Sequence, residues 1–164
     1  MSDLVAVVEI PRGSRNKYEV DHETGAVWLD RYLFTPMAYP TEYGYIEDTL
    51  GEDGDPLDAL VVVSEPTFPG CHIKVRPVAA FIMSDESGRD VKILCVQRKD
   101  HRWESYQDLD DIPKDLRDEI EHFFARYKDL EPGKHVVVEG WRGLDEANKE
   151  IENARARYGE GHKD

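Results

Sequence analysis

From Leu4 to Ile10 the chain is apolar and β-rich, and short runs of the same kind recur through its first two-thirds. Tyr18-Glu19-Val20 and Val27-Trp28-Leu29 flank Asp21-His22-Glu23-Thr24-Gly25, which predicts a hairpin with Gly25 at a left-handed position. The two-residue period of a strand puts Lys17 and Glu19 on one face and Tyr18 and Val20 on the other, so the apolar pair should turn inward. Further strands are expected near residues 58–63, 72–83, 91–97 and 134–139. Between Leu33 and Thr49 the pattern is aromatic and broken by Pro36 and Pro40, which reads as an ordered loop with short strand pieces.

The period changes late in the chain. Pro113 can open a helix in which Leu116, Ile120, Phe123, Phe124 and Tyr127 share a face, with Pro132-Gly133 to stop it. Leu144, Ala147, Ile151, Ala154 and Tyr158 mark a second amphipathic helix, and the charged stretch from Gly159 to Asp164 is expected to fray. Many short strands followed by two helices predict an α+β fold, mainly β: a small barrel with helices packed outside.

Length and composition narrow the class. The 164 residues suit one domain, 1–164, and there is no apolar stretch near the ~18 residues a membrane span needs. No basic segment followed by an apolar one opens the chain, so no secretory signal is expected. Cys71 and Cys95 are unclustered and read as reduced, buried thiols of a cytoplasmic protein; a zinc site would need more ligands nearby. The net charge of −14 argues against binding a nucleic-acid backbone over a broad face. That charge is uneven. Between Tyr32 and Ile73 there is no Lys or Arg, while Glu42, Glu47, Asp48, Glu52, Asp53, Asp55, Asp58 and Glu65 fall there, interleaved with apolar residues that predict order.

Within this stretch Asp53-Gly54-Asp55-Pro56-Leu57-Asp58 gathers three carboxylates around two helix-breaking residues, beside the apolar run Ala59-Leu60-Val61-Val62-Val63. Carboxylates that close repel unless a cation holds them, and hard divalent cations such as Mg²⁺ suit such oxygen donors. Asp85-Glu86, Asp90 and Lys92 form a second charged cluster, at the junction of two expected strands. Alone it reads equally well as a solvated turn; beside the first loop, both sets of carboxylates could converge on several ions. Metal ions bridged by shared carboxylates can activate water against a substrate rich in negative oxygen. Lys17, Arg31, Lys92 and Lys128 are the basic clamps available, with Tyr39, Tyr43 and Tyr127 as hydroxyl donors.

Other chemistries fit less well. The histidines are scattered, His22 in the hairpin turn among them, and no glycine-rich phosphate loop is present. Read as a calcium-binding EF-hand, a loop from Asp53 has Asp58 where glycine is required and Ser64 where glutamate is required. A barrel that stacks nucleic-acid bases would want a basic groove. A metal-dependent phosphohydrolase acting on a nucleotide or phosphoester remains open on the residues alone.

At these residues the chain resembles the family I soluble inorganic pyrophosphatases in their short bacterial form. Asp53 to Asp58 matches the family's D-G-D-P-x-D pattern, supported by Glu9-Ile10-Pro11, Asn16-Lys17-Tyr18-Glu19, Tyr39-Pro40, Tyr43-Gly44, Arg76-Pro77-Val78, Asp85-Glu86, Asp90-x-Lys92 and His122-Phe123-Phe124 with Tyr127-Lys128-Asp129-Leu130. The resemblance implies a five-stranded OB-like barrel flanked by two main helices, and Mg²⁺-dependent hydrolysis of pyrophosphate to two phosphates. It implies Asp53, Asp58, Asp85 and Asp90 as metal ligands, with Glu9 and Glu19 completing the acidic lining. Lys17, Arg31, Tyr43, Tyr127 and Lys128 would grip phosphate oxygens, with Lys92 beside them. Asp55 would take the proton of the attacking water, Asp90 being its rival. A homo-oligomer, commonly a hexamer, follows from the same resemblance.

Overall fold

The computed structural model describes residues 4–161. Its strands are β1 (Leu4–Ile10), β2 (Asn16–Val20), β3 (Val27–Tyr32), β4 (Glu42–Ile46), β5 (Asp58–Val62), β6 (His72–Asp85), β7 (Gly88–Gln97) and β8 (Val136–Arg142). The main sheet runs β1-β4-β5-β7-β6-β8, and β6 pairs back onto β1, so five strands close into a barrel and β8 extends it. The length of β6 permits this, because its first residues pair with β1 and its last with β8. Closure leaves the barrel strands without free edges.

Barrel strands are buried on both faces, and their two side-chain sets enter two cores. Leu4, Ala6, Val8, Ala59, Val61, Ile93 and Cys95 belong to the core that includes Ala147, Ile151 and Ala154 of α2 (Leu144–Gly161). Ile10, Leu60, Val62, Phe81, Met83 and Leu94 pack with Ile120, Phe123 and Phe124 of α1 (Lys114–Arg126). The mainly β, OB-like fold with two helices is thus the one expected. No helix among the described residues is long and apolar enough to cross a membrane.

Four local expectations change. The Leu33–Thr49 segment contains β4, a full barrel strand between β1 and β5. Its buried positions are Glu42, Gly44 and Ile46, so the apolar alternation that marks a strand is missing. A Cβ on Gly44 would lie 1.9 Å from the Val7 carbonyl oxygen, which explains the glycine. Glu42 is buried because the backbone N–H groups of Arg12 and Thr67 donate to its carboxylate. Second, α1 stops at Arg126, before Pro132-Gly133, and successive turns follow as Tyr127 enters the core and Lys128 reaches Asp85. Third, α2 continues through Gly159–Gly161 rather than fraying there; His162 to Asp164 lie outside the described residues. Fourth, Cys95 is buried but Cys71 only partly so, both being free thiols.

The predicted hairpin forms as a separate two-stranded ribbon, β2–β3, with Gly25 at φ 76°. A register shift between Lys17 and Tyr18 interrupts its alternation, and Tyr18 and Val20 are only partly buried. Trp28, Leu29 and Tyr32 stay exposed.

Candidate active site

Strand register builds the centre of the site. Parallel strands β5 and β7 set Asp58 opposite Lys92, and Asp90 lies two residues earlier on the same face of β7. Lys92 is fully buried, with Nζ 3.0 Å from Asp58 Oδ2, 3.0 Å from Asp90 Oδ2 and 2.9 Å from the Tyr43 hydroxyl. Tyr43, from neighbouring β4, donates to the same Asp58 oxygen at 2.9 Å. The ammonium also lies 4.9 Å from the centres of the Tyr43 and Phe124 rings, which close its apolar side.

The electrostatics follow from burial. Removal from water pushes Asp58 up to about 7, opposed by Lys92 and reinforced by Asp90. Burial acts on Asp90 too, but Lys92, the hydrogen bond with Asp58 and the charge of Lys128 hold its carboxyl below the usual range. Lys92 loses hydration, yet Asp58 and Asp90 keep it protonated well beyond its ordinary range. Burial and the Asp58 charge raise Tyr43 far above the usual phenol, so its proton stays in place.

The acidic loop projects from this base. Gly54, at φ 89°, turns the chain so that the Asp55 N–H donates to Asp53 Oδ1 at 3.0 Å and Gly51 N–H to the Asp55 carbonyl at 2.6 Å. Asp53 and Asp55 are both exposed. Glu9, on β1, accepts from the Val20 N–H at 2.9 Å, and burial raises its pKa.

Basic residues surround the carboxylates, each with acidic partners. Lys17 lies 3.3 Å from both Glu19 and Asp30. Arg31 pairs with Asp30 at 3.2 Å and with buried Glu131 at 3.0 Å. Lys128 lies 3.2 Å from Asp85, and Lys134 lies 3.0 Å from Glu86. Tyr127 is buried and stacks on Phe123.

A single cleft of about 870 Å³ unites these groups. Its wall includes Glu9, Lys17, Glu19, Arg31, Tyr43, Asp53, Asp55, Asp58, Asp85, Asp90, Tyr127 and Lys128, so the structure brings together every predicted site residue except Lys92. Lys92 lies beneath, its ammonium taken up by Asp58, Asp90 and Tyr43. Tyr39, considered as a donor from sequence, is instead buried among Tyr43 and Phe123. His22, Tyr45 and Lys134 also line the cleft, and sequence reasoning assigned them no role. His22 sets its ring edge against Tyr45, with centroids 4.7 Å apart, a contact between residues with no spacing signal.

Among the described residues no three His, Cys, Asp or Glu side chains form a ready-made coordination cluster. Lys92 bridges Asp58 and Asp90, and like charges keep the remaining carboxylates apart. The donor set nevertheless fits hard divalent cations. All the facing acidic groups offer carboxylate oxygen, the donor that such cations prefer.

Comparison with known proteins identifies the family. Residues 6–159 match the inorganic pyrophosphatase family. The chain is 62% identical over 152 residues to an inorganic pyrophosphatase of Leifsonia xyli subsp. xyli, covering 93% of each chain. It is 58% identical over 151 residues to one of Streptomyces coelicolor, covering 92% of this chain and 93% of the relative. The crystal structure of inorganic pyrophosphatase from Thermus thermophilus superposes with a TM-score of 0.92 at 46% identity, covering 95% of this chain and 91% of that one. A match that spans nearly the whole chain, with the acidic loop and the basic wall in one cleft, places the chain in the inorganic pyrophosphatase family, a family of diphosphatases.

Proposed function

We propose that the chain, as one domain, hydrolyses pyrophosphate to two orthophosphates with several Mg²⁺ ions in the cleft. The observation that carries this reading is the composition of that cleft: seven of its carboxylates, Glu9, Glu19, Asp53, Asp55, Asp58, Asp85 and Asp90, face Lys17, Arg31 and Lys128. A polyanion alone would be repelled by the acids, and a simple cation would not need the bases. A metal–pyrophosphate complex uses both.

Asp53, Asp58, Asp85 and Asp90 are the ligands in this reading, with Glu9 and Glu19 completing the acidic wall. Bound Mg²⁺ would neutralise phosphate charge and lower the pKa of a coordinated water. Lys17, Arg31 and Lys128 orient the substrate by exchanging their acidic partners for phosphate oxygens, and the Tyr43 and Tyr127 hydroxyls add hydrogen bonds. Asp55, exposed at the cleft wall, accepts the proton of the attacking water. Its rival Asp90 is already engaged by Lys92 at 3.0 Å, which favours Asp55. As water oxygen bonds to one phosphorus, the bond from that phosphorus to the bridging oxygen breaks, and the second phosphate leaves with the bonding pair. Lys92 supports the reaction from beneath by holding Asp58 and Asp90.

The test is phosphate release from pyrophosphate by the purified protein, with and without EDTA, beside ATP and a phosphomonoester. Metal-dependent release from pyrophosphate in preference to the other two is the expected result; equal or better turnover of ATP would point to a different phosphohydrolase. The reading includes a cytoplasmic homo-oligomer, by family resemblance a hexamer. Exposed Trp28, Leu29, Tyr32 and Phe34 on and beside the β2–β3 ribbon supply apolar surface for association.

A further inference from the structure

Arg89 stands one residue before Asp90 on β7, and Glu52 one residue before Asp53 in the acidic loop. The Arg89 guanidinium reaches Glu150 of α2, with Nη2 2.7 Å from Oε1 and Nη1 3.4 Å from Oε2. Its Nη1 also lies 3.6 Å from Glu52 Oε1. One planar cation therefore ties together the strand that carries Asp90, the loop that carries Asp53, and a helix packed on the barrel. The same helix holds the loop at two more points. Leu50 N–H donates to the Ala154 carbonyl at 3.0 Å, and Arg157 Nε donates to the Leu50 carbonyl at 2.8 Å. Between brace and site lies a void of about 20 Å³, lined by Asp53, Asp58 and Asp90 together with Arg89, Glu150 and Arg157. Arg89 and Glu150 therefore border the same small space as the proposed ligands.

The acidic loop needs a tether. Asp53 and Asp55 are exposed, so apolar packing does not fix them, and mutual repulsion spreads the carboxylates. Glu150, with its side chain only 13% exposed, offers a fixed anchor on a helix whose Ile151 is wholly buried. A two-pronged contact to a carboxylate restricts orientation as well as distance, which a lysine ammonium does not do. An ordinary surface ion pair would contribute little to stability and nothing to metal affinity. Arg89 instead touches both segments that carry the proposed ligands: it stands on β7 beside Asp90 and reaches the acidic loop through Glu52, while Glu150 fixes its guanidinium.

We propose that Arg89, held by Glu150, is a positioning residue that sets the spacing of Asp53 from Asp90 and so tunes the affinity of the site for divalent cations. The proposal rests on the reading of those carboxylates as metal ligands. Mn²⁺ binding to the substrate-free protein, followed by electron paramagnetic resonance or calorimetry, tests it in Arg89→Gln, Arg89→Lys, Glu150→Gln and the Arg89→Gln/Glu150→Gln double variant. Arg89→Gln and Glu150→Gln should each weaken Mn²⁺ binding by roughly tenfold, as loss of an outer-shell partner does. Arg89→Lys should restore part of the affinity, and the double variant should bind no more weakly than either single one. The Mg²⁺ concentration for half-maximal turnover should rise with the Mn²⁺ dissociation constant, while kcat at saturating Mg²⁺ stays within about twofold.

If wild type binds Mn²⁺, Asp58→Asn weakens that binding and Arg89→Gln does not, the brace is refuted while the ligand reading stands. A lowered melting temperature in Arg89→Gln and Glu150→Gln with unchanged Mn²⁺ affinity refutes it equally, since the pair is then only structural. If wild type binds no Mn²⁺, or Asp58→Asn binds it as tightly as wild type, the ligand reading falls and the brace with it.

Discussion

The base and the wall of the cleft are built from the same residue types and held in opposite ways. At the base, Asp58, Asp90, Lys92 and Tyr43 sit on three adjacent barrel strands, with Lys92 wholly buried. Their positions follow from register, and every contact of the ammonium is fixed. At the wall, Lys17 and Arg31 belong to a two-stranded ribbon outside the barrel; Lys17 pairs with Glu19 and Asp30, and Arg31 with Asp30 and with buried Glu131. The pairs to Asp30 and Glu19 exchange partners at small cost. Under the proposed function this contrast is a division of labour: buried charge would fix where the cations go, and exposed charge would stay free to close on an incoming anion.

The contrast breaks most severely at the base. Asp58→Asn removes the carboxylate at the centre of the proposed metal set, and turnover should fall by roughly a hundredfold or more, beyond the loss of an outer-shell partner. Circular dichroism should show it folded; near-normal turnover at low Mg²⁺ would remove Asp58 from the ligands. Lys92→Met leaves Asp58 and Asp90 buried without their cation, which should cost about 3–5 kcal/mol of stability in EDTA. Denaturant unfolding measures this loss, and added Mg²⁺ should recover part of it. A melt equal to that of wild type would show that Lys92 does not hold the base.

At the wall the expected pattern reverses. Lys17→Ala should raise KM for pyrophosphate about tenfold, while stability moves by no more than about 0.5 kcal/mol, as for most surface changes. A large stability loss with unchanged KM would make Lys17 structural, and the comparison would fail there. Outside the cleft, Trp28→Ser should shift the proposed oligomer toward smaller species in light scattering and leave turnover per chain nearly unchanged. An unaltered assembly would exclude the Trp28 face from the interface.

How much was legible in the sequence depended on how local each cause was. The apolar runs of β1, β5, β6 and β7 and the helical faces of α1 and α2 could be read because packing imposes a period on adjacent residues. β4 was obscured because its buried positions include Glu42 and Gly44, whose reasons lie elsewhere in the chain: the Arg12 N–H in the turn after β1 and the close approach of Val7 on β1. The end of α1 was misplaced because Tyr127 and Lys128 respond to the aromatic core and to Asp85, not to the breakers that follow. In the site, the acidic loop announced itself through dense like charge. The inward fixing of Lys92, the inclusion of His22 and Lys134 in the cleft, and the Arg89–Glu150 contact had no such signal.

By itself the sequence carried the proposed kind of chemistry: three carboxylates in six residues call for a cation, and the scattered bases for an anion. It also determined the mainly β fold, through the periods of its apolar residues. Only the tertiary structure decided which charges share a cleft, which lie beneath it, and which hold it from behind. Repulsion and burial act through space: Asp58 meets Lys92 across two parallel strands, and Arg89 meets Glu150 across the barrel wall. Chain spacing carries no trace of either distance.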